Sequence, residues 1–147
     1  MNKDTKDFYQ KLRSDIKIWL ENGKNSNTKW ADFLLLAPDL FHLLTKLTID
    51  PEVPASKKVK IAGIIAYFIS PLDFLPEILL GPIGYLDDIA ITAYVLNDLI
   101  NDVDPKIIQR NWAGERDILV LIKTIIANAN SMIGSGLWKK LIKTFTR

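Results

Sequence analysis

The chain has 147 residues, of which 48% are hydrophobic and 24% are charged, and its formal net charge is +2. This composition is typical of a single globular domain with a real core and argues against intrinsic disorder. The chain contains no cysteine, which excludes disulfides, thiolate zinc sites and cysteine nucleophiles and fits a reducing, cytoplasmic location.

Charge is distributed unevenly along the chain. Residues 1–30 sum to +3 and residues 105–147 to +6, whereas residues 71–104 hold seven acids and no lysine or arginine. One interpretation is that the basic terminal helices fold back and neutralise the acidic centre. The alternative is that the basic ends meet an anionic partner while the acids hold a cation.

Helical periodicity runs through the first half of the chain. Pro38 either kinks its second helix or starts another short piece. The last helix of this half is basic at its start and apolar all round at its end, which predicts a central position in a bundle or contact with lipid. The predicted elements are a helix from about residue 4 to 21, a helical stretch over residues 30–47, a turn at residues 50–54 and a helix over residues 55–69.

The second half is predicted to be helical as well. Ser70 reads as the N-cap of a new helix, with Pro71 at its first position, and Pro76 forbids a long helix there. Asp104 and Pro105 repeat this signature. The remaining predicted helices cover residues 85–101, a short segment after 105, residues 115–132 and residues 137–145. The fold class is therefore all-α, with residues 1–147 forming one compact bundle of five to seven helices.

The most distinctive stretch places proline, glycine and aspartate in an otherwise apolar segment. Its order is Tyr67-x-x-Ser70-Pro71-x-Asp73-x-x-Pro76, followed by Gly84-Tyr85-x-Asp87-Asp88. This order resembles the YkvA-like family of small bacterial domains, and the resemblance covers a family-like core over residues 53–99. It implies a helical domain and no established activity, in a family whose members are often labelled membrane proteins on hydropathy alone.

Three acids of this motif need a partner, because a carboxylate among aliphatic side chains is costly without one. Asp73, Asp87 and Asp88 could together bind Mg²⁺, Mn²⁺ or Ca²⁺ and serve a metal-dependent hydrolase. Alternatively, each accepts hydrogen bonds from the unpaired N–H groups of a helix N-terminus. We favour capping, because each acid lies in a predicted first turn and no helix shows the Glu-x-x-His pairing of di-iron bundles. No other cofactor is indicated.

The C-terminal segment over residues 135–147 is predicted to be a peripheral amphipathic helix. Its basic side and its tryptophan are typical of an interfacial membrane anchor. An outer helix of the bundle would show the same pattern, with its tryptophan already buried. The candidate contacts with an anionic membrane are Trp138, Lys139, Lys140 and Lys143.

Three function classes remain open. The preferred one is a non-enzymatic binding or scaffold protein at the cytoplasmic face of the membrane, where it would be peripheral. The others are the metal-dependent hydrolase and a helical protein that sequesters a protein partner, as immunity proteins do. Nucleic-acid binding is not favoured, because the basic residues are dispersed. The sequence does not specify an oligomeric state.

Two further features set limits on function. The uncharged runs over residues 61–72 and 78–86 are shorter than the roughly 20 residues that a spanning helix needs. This favours a soluble bundle over a re-entrant hairpin. His42 is the only histidine, and its apolar context predicts a hydrogen-bonded packing residue rather than a base.

Overall fold

The computed structural model describes residues 3–21, 31–69 and 86–145, which form seven helices of at least seven residues and one single helical turn. These described ranges contain no strand, so the predicted all-α bundle is confirmed. The elements are α1 (Lys3–Glu21), α2 (Ala31–Leu34), α3 (Ala37–Ile49), α4 (Ala55–Ile69), α5 (Leu86–Asp102), α6 (Pro105–Asn111), α7 (Ile118–Ile133) and α8 (Ser135–Phe145).

Proline separates α2 from α3. Pro38 occupies the first turn of α3, where its missing N–H would have had no partner in any case. Of the two alternatives left open by the sequence, the start of a second piece is therefore correct. The two helices remain linked through the backbone, because the Leu36 N–H donates to the Phe33 carbonyl at 3.0 Å.

Aspartate caps define two helix starts in the second half. Asp104 accepts a hydrogen bond from the Lys106 N–H at 3.0 Å, as the cap-and-proline pattern predicted. Asp117 accepts one from the Leu119 N–H at 2.9 Å. The predicted start of this helix at Glu115 was therefore three residues too early, because the cap at Asp117 sets the first turn.

Helix α5 lies at the centre of the described bundle and packs against α2, α3, α4, α7 and α8. Helix α4 was also expected to be central, but it buries only Ile61, Ile64 and Phe68 along one face. The small residues on its other side, such as Ala62 and Ala66, are exposed. Helix α3 shares the centre with α5 instead, with eight buried residues.

An aromatic cluster joins three helices on one side of the core. The Phe41 ring of α3 lies 5.0 Å from the Phe8 ring of α1 and 5.5 Å from the Phe68 ring of α4. The contact with Phe68 is edge-on, the arrangement that the ring quadrupoles favour. This cluster fixes α1 and α4 on α3. Across the described helices, none is both long and apolar enough to cross a membrane.

Candidate functional site

The sequence motif is only partly within the described residues. Asp87 is the second residue of α5, with its side chain outside the described part, and Asp88 is the third. Both acids therefore lie in α5, at the N-terminal end of its described range. Tyr67 lies near the end of α4 and is half-buried. The residues that fall outside the described ranges are Ser70, Pro71, Asp73, Pro76, Gly84 and Tyr85.

Asp88 and Thr92 form a polar spot inside the bundle. Both side chains are 0% exposed, and their spacing of four residues puts them on one face of α5. The Thr92 hydroxyl has no hydrogen-bond partner. Sequence reasoning missed Thr92, because a threonine in an apolar helix shows no pattern that separates it from a packing residue.

Joint metal binding by Asp73, Asp87 and Asp88 stays a prediction. Among the residues that the structure describes, no group of three histidine, aspartate or glutamate side chains could hold a metal ion. The buried position of Asp88 is compatible with a capping carboxylate and with a ligand.

Ion pairs between α4 and α5 neutralise part of the acidic centre. Lys57 Nζ lies 2.5 Å from Asp102 Oδ2 and 3.6 Å from Asp98 Oδ2, and Lys60 Nζ lies 3.6 Å from the same Asp98 oxygen. The hydrogen bond with Asp102, aided by the charge of Asp98, raises the pKa of Lys57. The expectation that the terminal helices neutralise these acids is wrong for Asp98 and Asp102, because the end of α5 packs beside the basic start of α4.

A second polar cluster connects the end of α3 to the end of α6. Asp50 is only 7% exposed. It accepts hydrogen bonds from Arg110 at 2.8, 2.9 and 3.2 Å, from Asn111 Nδ2 at 2.8 Å and from the Glu52 N–H at 2.9 Å. The Arg110 hydrogen bonds, followed by those from Asn111 and Glu52, hold the pKa of Asp50 well below its usual range. Both carboxylate oxygens of Asp50 accept hydrogen bonds, so this cluster is a structural clamp that holds the end of α3 against the end of α6.

His42 packs against α1. Its ring lies 5.8 Å from the Tyr9 ring of α1. Nδ1 is buried and has no hydrogen-bond partner. The predicted packing role therefore fits the structure, while the predicted hydrogen bond is absent at Nδ1.

The C-terminal helix α8 uses its apolar side for internal packing. Trp138 is 8% exposed and lies in a cluster with Ala90 of α5 and Ala129 of α7. Its ring meets that of Tyr94 edge-on at 5.8 Å. The prediction that Trp138 contacts a membrane therefore has to be corrected, because the residue is buried inside the bundle. The alternative, an outer helix of the bundle, describes α8.

The two glycines before this helix have different roles. Gly134 has a φ of 88°, caps α7 and donates its N–H to the Asn130 carbonyl at 2.8 Å. Its own carbonyl accepts from the Trp138 N–H at 3.0 Å, which starts α8. Gly136 lies within α8. The connection between α7 and α8 is therefore a single tight turn at Gly134.

Helices α7 and α8 carry a basic outer surface. Between residues 118 and 145 there are four basic residues and no acidic ones. All four are exposed, whereas the apolar sides of both helices face the core. We define the basic outer surface by these residues: Lys123, Lys139, Lys140 and Lys143.

Comparison with known proteins gives a family match in the middle of the chain. A family described as a protein of unknown function (DUF1232) matches residues 57–94, which lie within the stretch that resembles the YkvA-like family. The match is consistent with that resemblance without confirming the name. It begins in α4 and ends in α5, so it contains the motif and the Asp88–Thr92 face.

Two curated proteins are similar to this chain. "Uncharacterized protein ORF9" of Methanothermobacter thermautotrophicus is 24% identical over 119 residues, covering 81% of this chain and 82% of that protein. "E3 ubiquitin-protein ligase RNF170" of Danio rerio is 61% identical over 28 residues, covering 19% of this chain and 10% of that protein. These matches do not confirm the bacterial origin that the resemblance implied. No solved structure matches the chain.

Proposed function

We propose that this protein is a non-enzymatic helical binding domain that adsorbs to an anionic membrane surface through its basic outer surface. The observation that carries this proposal is the absence of any acidic residue between residues 118 and 145, where four exposed lysines lie. The apolar side of α8 is engaged in the core, so adsorption is by charge and not by insertion. In a cell, the protein would sit peripherally at the inner face of the membrane.

The expected strength follows from the number of charges. Each lysine near an anionic leaflet is worth about 1 kcal/mol, so four lysines give about 4 kcal/mol at low salt. Such binding is weak and reversible. It falls steeply with salt, because the Debye length shrinks from about 30 Å at 0.01 M to about 8 Å at 0.15 M.

Vesicle co-sedimentation tests this proposal. The protein should bind vesicles that contain phosphatidylglycerol at low salt, release them at high salt, and ignore pure phosphatidylcholine. The double variant Lys139→Glu, Lys143→Glu should lose binding. The matched control is Lys46→Glu, Lys106→Glu, which changes the net charge equally at exposed positions of α3 and α6. Equal loss in both variants, or no binding by the wild type, would contradict the proposal.

A further inference from the structure

The loop between α6 and α7 is closed by a tryptophan ring that lies against a glycine. Trp112 covers Gly114 so closely that an added Cβ at Gly114 would collide with Cζ2 of the ring and lie 2.6 Å from Cε2. The indole Nε1–H of Trp112 donates to the Arg116 carbonyl at 2.9 Å. Trp112 is also half-buried and packs against the main hydrophobic core. The ring therefore connects this loop to the core.

Glycine at position 114 is required by space and not by backbone conformation. Among the described glycines, Gly134 has a positive φ, whereas Gly114 does not. A side chain at position 114 is therefore disfavoured because it would displace the Trp112 ring, and such overpacking destabilises a protein.

Trp112 also ends the helix that carries the clamp. It is the C-cap of α6 and donates its backbone N–H to the Gln109 carbonyl at 3.3 Å. The two residues before it, Arg110 and Asn111, donate hydrogen bonds to the Asp50 carboxylate. The two donors of the clamp and the ring that closes the loop are therefore consecutive in the chain.

Helix α6 is too short to fix these donors by its own stability. It has seven residues, and helices shorter than about 12 residues are marginal without tertiary contacts. Helix ends also fray. Arg110 and Asn111 lie in the last turn of α6, so their positions depend on what holds that end of the helix.

We propose that Trp112 is a positioning residue for the clamp at Asp50. By lying against Gly114, it holds the last turn of α6, which keeps Arg110 and Asn111 within hydrogen-bond reach of the carboxylate. Trp112 acts through the backbone, because its indole N–H donates within the loop. This proposal is independent of the basic outer surface.

The alternative is that the core contacts of α6 are sufficient without the loop. Ile107 and Ile108 are both buried and could hold α6 by themselves. Trp112 would then stabilise the loop alone, and its loss would leave the clamp intact. The two explanations differ in whether the loop and the clamp contribute to stability independently.

Double-mutant cycles in urea distinguish the two explanations. Gly114→Ala and Asp50→Asn are measured singly and together, and Gly134→Ala with Asp50→Asn is the matched control. Both glycine variants should lower the urea midpoint. The shift of Gly114→Ala combined with Asp50→Asn should be smaller than the sum of the single shifts. The shift of Gly134→Ala should add to that of Asp50→Asn, because Gly134 lies at the far end of α7, whose 16 residues span about 24 Å.

A measurement on single variants in the folded state covers a combined variant that does not fold. Trp112→Phe keeps an aromatic ring and removes the indole N–H. The Arg110 Nε–H donates to Asp50 Oδ2 at 3.2 Å. Its exchange with solvent, followed by NMR, should become faster by about threefold or more in Gly114→Ala and in Trp112→Phe. Gly134→Ala should leave this exchange rate unchanged.

Three results would overturn the proposal. The first is that the shifts of Gly114→Ala and Asp50→Asn add. The second is that Gly134→Ala is coupled to Asp50→Asn as strongly as Gly114→Ala is, because the effect would then be a general loosening of the fold. The third is an exchange rate at Arg110 that keeps its wild-type value in both Gly114→Ala and Trp112→Phe.

Discussion

The guanidinium of Arg110 binds both carboxylate oxygens of Asp50, at 2.8 and 2.9 Å, although the two residues are 60 positions apart in the chain. Arg110 also reaches Glu52 at 3.2 Å. One guanidinium therefore contacts a buried acid and an exposed acid two residues apart. The contributions of a buried and an exposed carboxylate to stability can therefore be compared with the same guanidinium as their partner.

The buried acid should matter more to stability than the exposed one. Asp50→Ala removes the acceptor used by Arg110, by Asn111 and by the Glu52 N–H, and we expect it to lower the free energy of unfolding by about 1–3 kcal/mol. Glu52 is 61% exposed in its side chain. Glu52→Ala should therefore change stability by about 0.5 kcal/mol or less. Urea denaturation of both variants measures the difference, and equal losses would contradict the clamp at Asp50.

Lowering the pH should remove the contribution of Asp50 to the free energy of unfolding. Its pKa in the folded protein lies below the usual carboxyl value of 3.8 that the unfolded chain keeps. The stabilisation is therefore fully present above about pH 5 and is lost as the pH falls below about 4, because the unfolded state then binds the proton first. The gap in unfolding free energy between the wild type and Asp50→Asn should shrink over this range. A gap that stays constant down to pH 3 would show that the pKa of Asp50 is not lowered.

The sequence predicted what local chemistry decides and missed what distant contacts decide. The cap at Asp104, the break at Pro38 and the helix over residues 55–69 follow from short-range rules, and the structure has all three. The Asp50–Arg110 clamp depends on how α3 and α6 pack. No sequence pattern near Asp50 indicates that its partner lies 60 residues away. Trp138 was ambiguous for a related reason, because the amphipathic pattern of a packed outer helix equals that of a membrane anchor.

Thr92 offers a test of the polar spot in the core. Its hydroxyl is buried without a partner, and an unpaired buried polar group costs about 1–3 kcal/mol. Thr92→Val keeps the shape and removes the hydroxyl, so we expect it to leave stability unchanged or raise it by up to about 1 kcal/mol. Thermal denaturation monitored by circular dichroism measures the change. A clear loss of stability would mean that the hydroxyl binds a water molecule or a ligand.

The two glycines near α8 should respond in opposite directions. Gly134 has φ 88° and ψ 145°, a region essentially restricted to glycine, so Gly134→Ala should destabilise the protein by about 1–3 kcal/mol. Gly136 lies inside α8, and an added Cβ meets no atom within 4 Å. Gly136→Ala should therefore stabilise the protein by about 0.4–1 kcal/mol. Denaturant titration of both variants decides, and a shared sign would refute the single-turn description.

The packed position of α8 predicts a large cost for losing Trp138. Trp138→Ala should lower the free energy of unfolding by about 3–5 kcal/mol, because a buried aromatic leaves a cavity. Thr144→Ala, at an exposed position of the same helix, should cost about 0.5 kcal/mol or less. The difference spectrum between the wild type and Trp138→Phe should show blue-shifted tryptophan emission without lipid. A red emission that shifts only on adding vesicles would restore the membrane anchor.

The clamp between α3 and α6 also has a consequence for the order in which contacts form as the chain is synthesised and folds. Asp50 is made well before Arg110, so during synthesis its carboxylate remains hydrated until α6 has followed. Closing a loop of this length costs about 4 kcal/mol of chain entropy, which favours forming the contact after α3, α4 and α5 have already met. A contact that forms only after the folding transition state slows unfolding more than it speeds folding. The ion pair between Asp50 and Arg110 can therefore form only after the ribosome has synthesised α6.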